Sequence, residues 1–199
     1  MNKRAFTLLE VVFVIVIIGI LAALAIPNQK SNMLHKAAEQ VANHIRYTQH
    51  LAMVDDQFSP NDQTWYKKRW QIRFLNNGTI KYYDIFSDQN KEGNSNANEE
   101  AVDPMTKERL GSGNTLNTPK EGVNLTRRYG ISSIQGTCEV DGTRKIGFDY
   151  FGRPYLGVSG GIYTNPVPAG GCTIQLVHPL EGTATIKIAA ISGYVSISY

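Results

Sequence analysis

The chain has 199 residues, 42% of them hydrophobic and 19% charged, which suits one folded domain plus an appendage. A formal net charge of +3 is too small to imply a nucleic-acid partner by itself, and Lys3 and Arg4 contribute two of its positive charges. The two cysteines, Cys138 and Cys172, allow one intramolecular pairing and fit no zinc spacing.

Residues 11–26 (VVFVIVIIGILAALAI) carry no charged or strongly polar side chain. Extended back to Phe6, the run reaches about 20 residues, enough for the roughly 30 Å of a bilayer core. Lys3 and Arg4 just before it predict a cytoplasmic N-terminus, with the residues after Pro27 facing the periplasm or cell exterior. Three readings compete. The first is a plain transmembrane anchor. The second is a secretory signal peptide, because Ala23-Leu24-Ala25 matches the A-x-A pattern and cleavage there would release a soluble secreted protein. The third starts from Glu10. A charged group near mid-membrane costs about 2.5–3.5 kcal/mol, less near the interface, so an acid placed there asks for a role.

The stretch Lys3-Arg4-Ala5-Phe6-Thr7-Leu8-Leu9-Glu10 supplies one. It resembles the processing site of type IV prepilins. The resemblance implies a short leader, residues 1–5, removed by a prepilin peptidase between Ala5 and Phe6, with Phe6 N-methylated. Glu10 then becomes the fifth residue of the mature chain and serves assembly, and Pro27 matches the family's helix proline. Ala5 departs from the family, which has Gly before the cut. Export of everything after the helix makes a Cys138–Cys172 disulfide the expected pairing, against two buried thiols in a cytosolic chain.

Beyond the apolar run, Leu34, Ala38, Val41, Ile45, Thr48 and Ala52 recur at steps of four and three, an amphipathic stripe. Residues 6–54 therefore read as one helix of about 70 Å, kinked or opened where Pro27 lacks a backbone donor. Residues 6–27 form its membrane half and 28–55 its amphipathic half. The turn-rich 55–62 ends it. Trp70, Ile72 and Phe74 then alternate with polar residues as a strand, and Asn77-Gly78 signals a hairpin into a return strand at 79–86. Residues 87–120 read as a polar insertion, mobile or lightly structured. Strand candidates follow at 123–125, 145–148, 155–158, 173–177, 185–189 and 194–199. The expected class is α+β: a long N-terminal transmembrane and amphipathic helix packed on an antiparallel β-rich head, residues 56–199, as in pilins. Order and spacing, with 46–53 (RYTQHLAM), 148–153 (FDYFGR) and 186–197 (IKIAAISGYVSI), further resemble the H-type minor pseudopilins of type II secretion and related minor pilins.

Other motifs carry less. His35, His44, His50 and His178 lack metal-ligand spacing, and no nucleophile elbow or phosphate loop is present, so no enzyme activity and no cofactor are expected. Asp88, Asn90, Glu92 and Glu99 follow the spacing of a calcium loop with Gly93 at the turn. Glu92 and Ser95 break its pattern, and a solvated polar loop is the reading taken, with no metal. Lys67-Lys68-Arg69 beside Trp65, Tyr66 and Trp70 could touch nucleic acid. Some minor pilins bind DNA through a basic C-terminal tail. Residues 193–197 contain no Lys or Arg, so solvated strand faces are taken instead. The functional expectation is a minor pseudopilin subunit of a secretion filament in the inner membrane, with other pilin-like subunits, prepilin peptidase and an assembly platform as partners. A minor pilin of a type IV pilus, used in adhesion, motility or DNA uptake, is the alternative.

Overall fold

The computed structural model describes residues 7–25, 32–113, 118–140, 142–157, 161 and 164–199, with the side chains of 23–25 excepted. The structure divides into two units, with the boundary after Ser31. The first unit contributes helix α1 (Leu8–Ala25) and the second everything from Asn32 onward. Pro27 lies outside the described residues, so the expected kink does too.

The second unit opens with α2 (Met33–Val54), whose predicted stripe is buried in full, together with Ala37 and Ala42. Small residues at 37, 38, 42 and 52 let the helix approach closely. It lies against two four-stranded antiparallel sheets. The first, ordered β2-β1-β4-β5, contains β1 (Trp70–Asn77), β2 (Ile80–Ser87), β4 (Arg144–Phe148) and β5 (Pro154–Leu156). The second, ordered β3-β6-β7-β8, contains β3 (Ser133–Gly136), β6 (Cys172–His178), β7 (Gly182–Ile188) and β8 (Val195–Ser198). The core joins Ile72, Ile85, Ile146 and Phe148 of one sheet to Ile174, Leu176, Ile186 and Ile188 of the other around the α2 stripe. This is the α+β, helix-on-antiparallel-sheet architecture expected of a pilin-like chain.

The structure departs from the sequence-based expectation in three places. Residues 123–125 are not a strand: Val123 ends a 3-10 turn and Leu125 starts α3 (Leu125–Tyr129). The Asn124 side chain caps that helix by accepting from Arg127 N at 2.9 Å, and left-handed Gly130 closes it. Strand β3 was not foreseen, because its sequence, SIQG, is too short and too polar to show alternation. The insertion is the largest difference. Its first part is fastened along the free edge of β2 through Ile85 N to Leu110 O, Ala101 N to Ile85 O and Ser87 N to Glu99 O, at 2.9, 2.8 and 3.1 Å. Ala101 and Leu110 enter the core. The insertion thus pairs an edge that would otherwise present open backbone groups.

The other face of β1 and β2 holds a charge pair. Arg73 and Asp84 sit opposite each other in register. Arg73 Nε donates to Asp84 Oδ1 at 3.1 Å and Nη2 to Oδ2 at 2.5 Å, with Asp84 wholly buried. Ser95 Oγ donates to the same Oδ2 at 2.6 Å, and Arg73 Nη1 reaches Gly93 O at 3.2 Å. A strand face that looks solvated in sequence is therefore the seat of the insertion.

Candidate functional site

Helix α1 begins with a cap that the sequence reading did not use. Thr7 Oγ1 accepts from Glu10 N at 3.3 Å, and Thr7 O accepts from the same nitrogen at 3.1 Å. Thr7-x-x-Glu10 is the spacing of a capping box, and an acid in the first turn also complements the positive end of the helix dipole. Thr7 thus caps α1 through the Glu10 backbone N–H, and the T-x-x-E pattern was the signal for that cap. The helix is apolar on every side, without an amphipathic face. Its 18 residues extend about 27 Å. Among the described residues no helix is long and apolar enough to cross a membrane. Ala5 and Phe6 lie outside the described residues.

Residues 1–26 match the family model for the prokaryotic N-terminal methylation motif. Over these residues the chain is similar to type IV pilin-like proteins. No curated protein and no solved structure matches it. The motif implies processing by a prepilin peptidase and assembly with other pilin subunits.

In the head of this pilin-like chain, Cys138 and Cys172 form a disulfide across 34 positions, both buried. It ties the segment after β3 to the start of β6. The four residues with calcium-loop spacing do lie close together, but they serve the loop's own backbone. Asp88 accepts from Glu92 N and Gly93 N at 3.0 and 2.8 Å, Asn90 Oδ1 accepts from Glu92 N at 3.1 Å, and Glu99 accepts from Asn90 N and Asn96 N at 3.0 and 3.1 Å. Burial beside Glu99 raises the Asp88 carboxyl above its ordinary value. Among the described residues no group of three His, Cys, Asp or Glu is placed to hold a metal ion.

The basic cluster is not a solvated face. Arg69 is buried between the rings of Trp65 and Tyr155, 5.0 and 5.1 Å from their centroids, and Lys68 pairs with Asp62 at 3.3 Å. The four histidines are dispersed. His35 stacks on Tyr199 at 3.5 Å. His178 Nδ1 accepts from Leu180 N and Glu181 N at 3.2 and 3.1 Å.

His44 belongs to a cleft of about 870 Å³ walled by one face of α2, the loop around Asp103 and the segment before α3. Gln40 Nε2 donates to Tyr83 Oη at 2.7 Å and to Gly122 O at 2.6 Å, and Tyr129 Oη donates to Gln40 Oε1 at 2.5 Å. The Tyr83 hydroxyl, whose pKa burial pushes up, is left to donate to His44 Nδ1 at 2.6 Å. Neutral His44 must then carry its proton on Nε2. Burial lowers its pKa, which Asp103 opposes and Arg128 reinforces.

The head is stitched to both ends of α2. Glu181, in the β6–β7 turn, accepts from Met33 N at 3.3 Å and Leu34 N at 2.7 Å, and so caps a helix whose own Asn32 makes no side-chain cap. Near the other end, Gln49 Nε2 donates to Gly152 O at 2.8 Å and Ser192 O at 2.9 Å, one carbonyl from each sheet's turn. Neither partner could be chosen from sequence, since the pairings span more than 100 positions.

Proposed function

We propose that this chain is a structural subunit of a periplasmic filament, held in the inner membrane by its N-terminal helix before assembly and cut between Ala5 and Phe6. The observation that carries this reading is the N-terminal methylation motif at residues 1–26. A uniformly apolar α1 that begins with a capped acid agrees with it. Within the class we assign the chain to the minor pseudopilins of type II secretion. The head is consistent with this: a helix spine, two antiparallel sheets and a disulfide suited to an oxidising compartment. No catalytic role is proposed.

Glu10 acts in assembly by pairing with the N-terminal amine of a neighbouring subunit. In a low-dielectric filament interior, pairing is strongly preferred over leaving either charge alone, and it sets axial register between helices. The test separates this from the cap. Glu10→Gln keeps a polar side chain of the same length but removes the charge, and Glu10→Leu removes both, while the backbone nitrogen that Thr7 caps is present in each. Both variants should fractionate with membranes and fold their heads, and both should lose crosslinking to neighbouring subunits. Normal crosslinking with Glu10→Gln would end the charge-pairing mechanism. Intact mass and N-terminal sequencing check processing: the mature chain should begin at N-methylated Phe6, whereas a mature end at Ile26 would establish the signal-peptide reading instead.

A further inference from the structure

The floor of the cleft beside α2 is one hydrogen-bonded chain, and a carbonyl fixes its direction. Gly122 O can only accept, so the Gln40 amide must turn Nε2 toward it, and the same nitrogen donates to Tyr83 Oη. Gln40 Oε1 is then left to accept from Tyr129 Oη. Tyr83 is wholly buried, and its hydroxyl proton has His44 Nδ1 as acceptor. The chain therefore ends on a ring nitrogen that must carry no proton.

A proton added to His44 reverses that end. Nδ1 becomes a donor, so Tyr83 Oη faces two N–H donors while its own proton loses its acceptor. Turning the Gln40 amide over does not help, because Oε1 would then face Gly122 O. Every arrangement of the closed floor leaves one buried polar group without a partner, and water satisfies that group only when the floor opens. The surrounding charges do not remove the conflict. α2 brings Lys36 and Glu39 to the cleft, the loop after Val102 brings Asp103 and Glu108, and the segment ending in α3 brings Glu121 and Arg128. Asp103 favours the imidazolium, but burial, with Arg128 beside it, outweighs that help and keeps the ring below its ordinary pKa. Burial raises the hydroxyls of Tyr47, Tyr83 and Tyr129, so none of them titrates near neutrality.

The element that can open is 120–130. The 3-10 turn Glu121–Val123 and α3 form a short unit closed on itself by the Asn124 cap, with Arg128 N to Asn124 O at 3.1 Å and Gly130 N to Thr126 O at 2.9 Å. α2 bonds to it through both ends of the Gln40 amide, one turn before His44. Val123, Leu125 and Tyr129 also seat it in the core, so the open form is a minor state.

We propose that the His44–Tyr83–Gln40–Tyr129 chain is an acid-sensitive latch, which holds the 120–130 segment on α2 at neutral pH and releases it, opening the cleft floor, as His44 takes up a proton. Closure requires neutral His44, whereas an opened His44 titrates near its ordinary value of about 6.5. Closure therefore holds above that pH and weakens as pH falls below it. With the closed ring neutral throughout, the open population rises about eightfold between pH 7 and pH 5.5.

The experiment follows amide hydrogen exchange of the full-length chain in detergent, with the disulfide intact, at pH 7 and 5.5 and corrected for the intrinsic pH dependence of exchange. Amides 123–131 should exchange faster than those of β6 and β7, and their protection should fall by up to about eightfold at the lower pH. In His44→Gln, whose side-chain carbonyl still accepts from Tyr83 but does not titrate, that fall should vanish. Ring-nitrogen NMR of histidine-labelled wild type, with His44 assigned by its loss in the variant, should show the neutral ring protonated on Nε2. The proposal is overturned if amides 123–131 share the protection and urea dependence of β6 and β7, since the segment then opens only with the whole head. It is overturned equally by the absence of the fall in wild type, by a fall that persists in His44→Gln, or by a neutral His44 protonated on Nδ1.

Discussion

Removing one member of the Arg73–Asp84 pair should damage the head far more than removing both. Asp84→Asn keeps the side-chain volume and deletes the charge. It leaves a guanidinium in a site where Arg73 is only 7% exposed, with the Gly93 carbonyl and Ser95 hydroxyl as its remaining polar partners. An uncompensated buried charge of this kind costs about 3–5 kcal/mol. For a domain of this size each kcal/mol lowers Tm by about 2–4 °C, so the expected drop is about 6–20 °C. The double variant Arg73→Met, Asp84→Leu removes both desolvation penalties and strands only Ser95 Oγ, a neutral group, since Gly93 O still accepts from Lys145 Nζ at 3.1 Å. Its cost should be about 1–3 kcal/mol, well below the sum of the two single losses. The assay is urea and thermal unfolding of the oxidised head for wild type, both singles and the double, with limited proteolysis between residues 88 and 113. The singles should open the insertion to cleavage, because Arg73 and Ser95 fasten it to the sheet. An Asp84→Asn cost below about 1 kcal/mol, or a double loss equal to the sum of the singles, would refute the reasoning.

Glu181→Ala should cost about 1–2 kcal/mol, because two N–H groups at the start of α2 lose their acceptor; Glu181→Gln should cost less, and equal melting curves for Ala and wild type would exclude the cap. Stability of the head should fall as pH drops below about 6.5, because unfolded His44 takes up a proton there while the buried imidazole resists until its lowered pKa is reached. His44→Gln should flatten that dependence between pH 7 and 5.5, read from urea midpoints, and an unchanged slope would remove His44 as its source.

Legibility in the sequence followed the range of the interaction. The α2 stripe, the 70–87 hairpin and the later strands β4 to β8 follow from periods of 3.6 and 2 and from Asn77-Gly78, all local signals. Asn124 and Gly130 turned the expected strand at 123–125 (VNL) into a helix start, and one cap outweighed the two apolar residues beside it. The insertion was misjudged because its fastening is non-local: Ala101 and Leu110 pair with Ile85, and no period within 87–120 shows that the edge of β2 needs covering. The polar face of β1 was misjudged for the same reason, since Arg69 and Arg73 are buried by residues that the sequence places elsewhere. At the N-terminus the opposite holds. The motif around Glu10 is contiguous, and the half of the site that was missed, the Thr7 cap, is contiguous too.

The two kinds of polar residue in the head also separate by what they do for α2. Glu181, Gln40, Arg46 and Gln49 each leave or meet the helix at a different height and bind the β6–β7 turn, Tyr83 with Gly122, Val195 O, and both apical turns. The sheets are therefore held to the helix along its whole length by hydrogen bonds as well as by the apolar stripe. Apolar packing alone tolerates sliding, because contacts of a Leu or Ile row are non-directional. Hydrogen bonds at the start, middle and end of the helix do not, because each fails beyond a few tenths of an ångström. On the filament reading proposed above, a load on the subunit would be felt by α2. A helix fixed at each height passes that load to both sheets together. Ile191, held in the left-handed region, sits outside this stitching, on the surface where it ends.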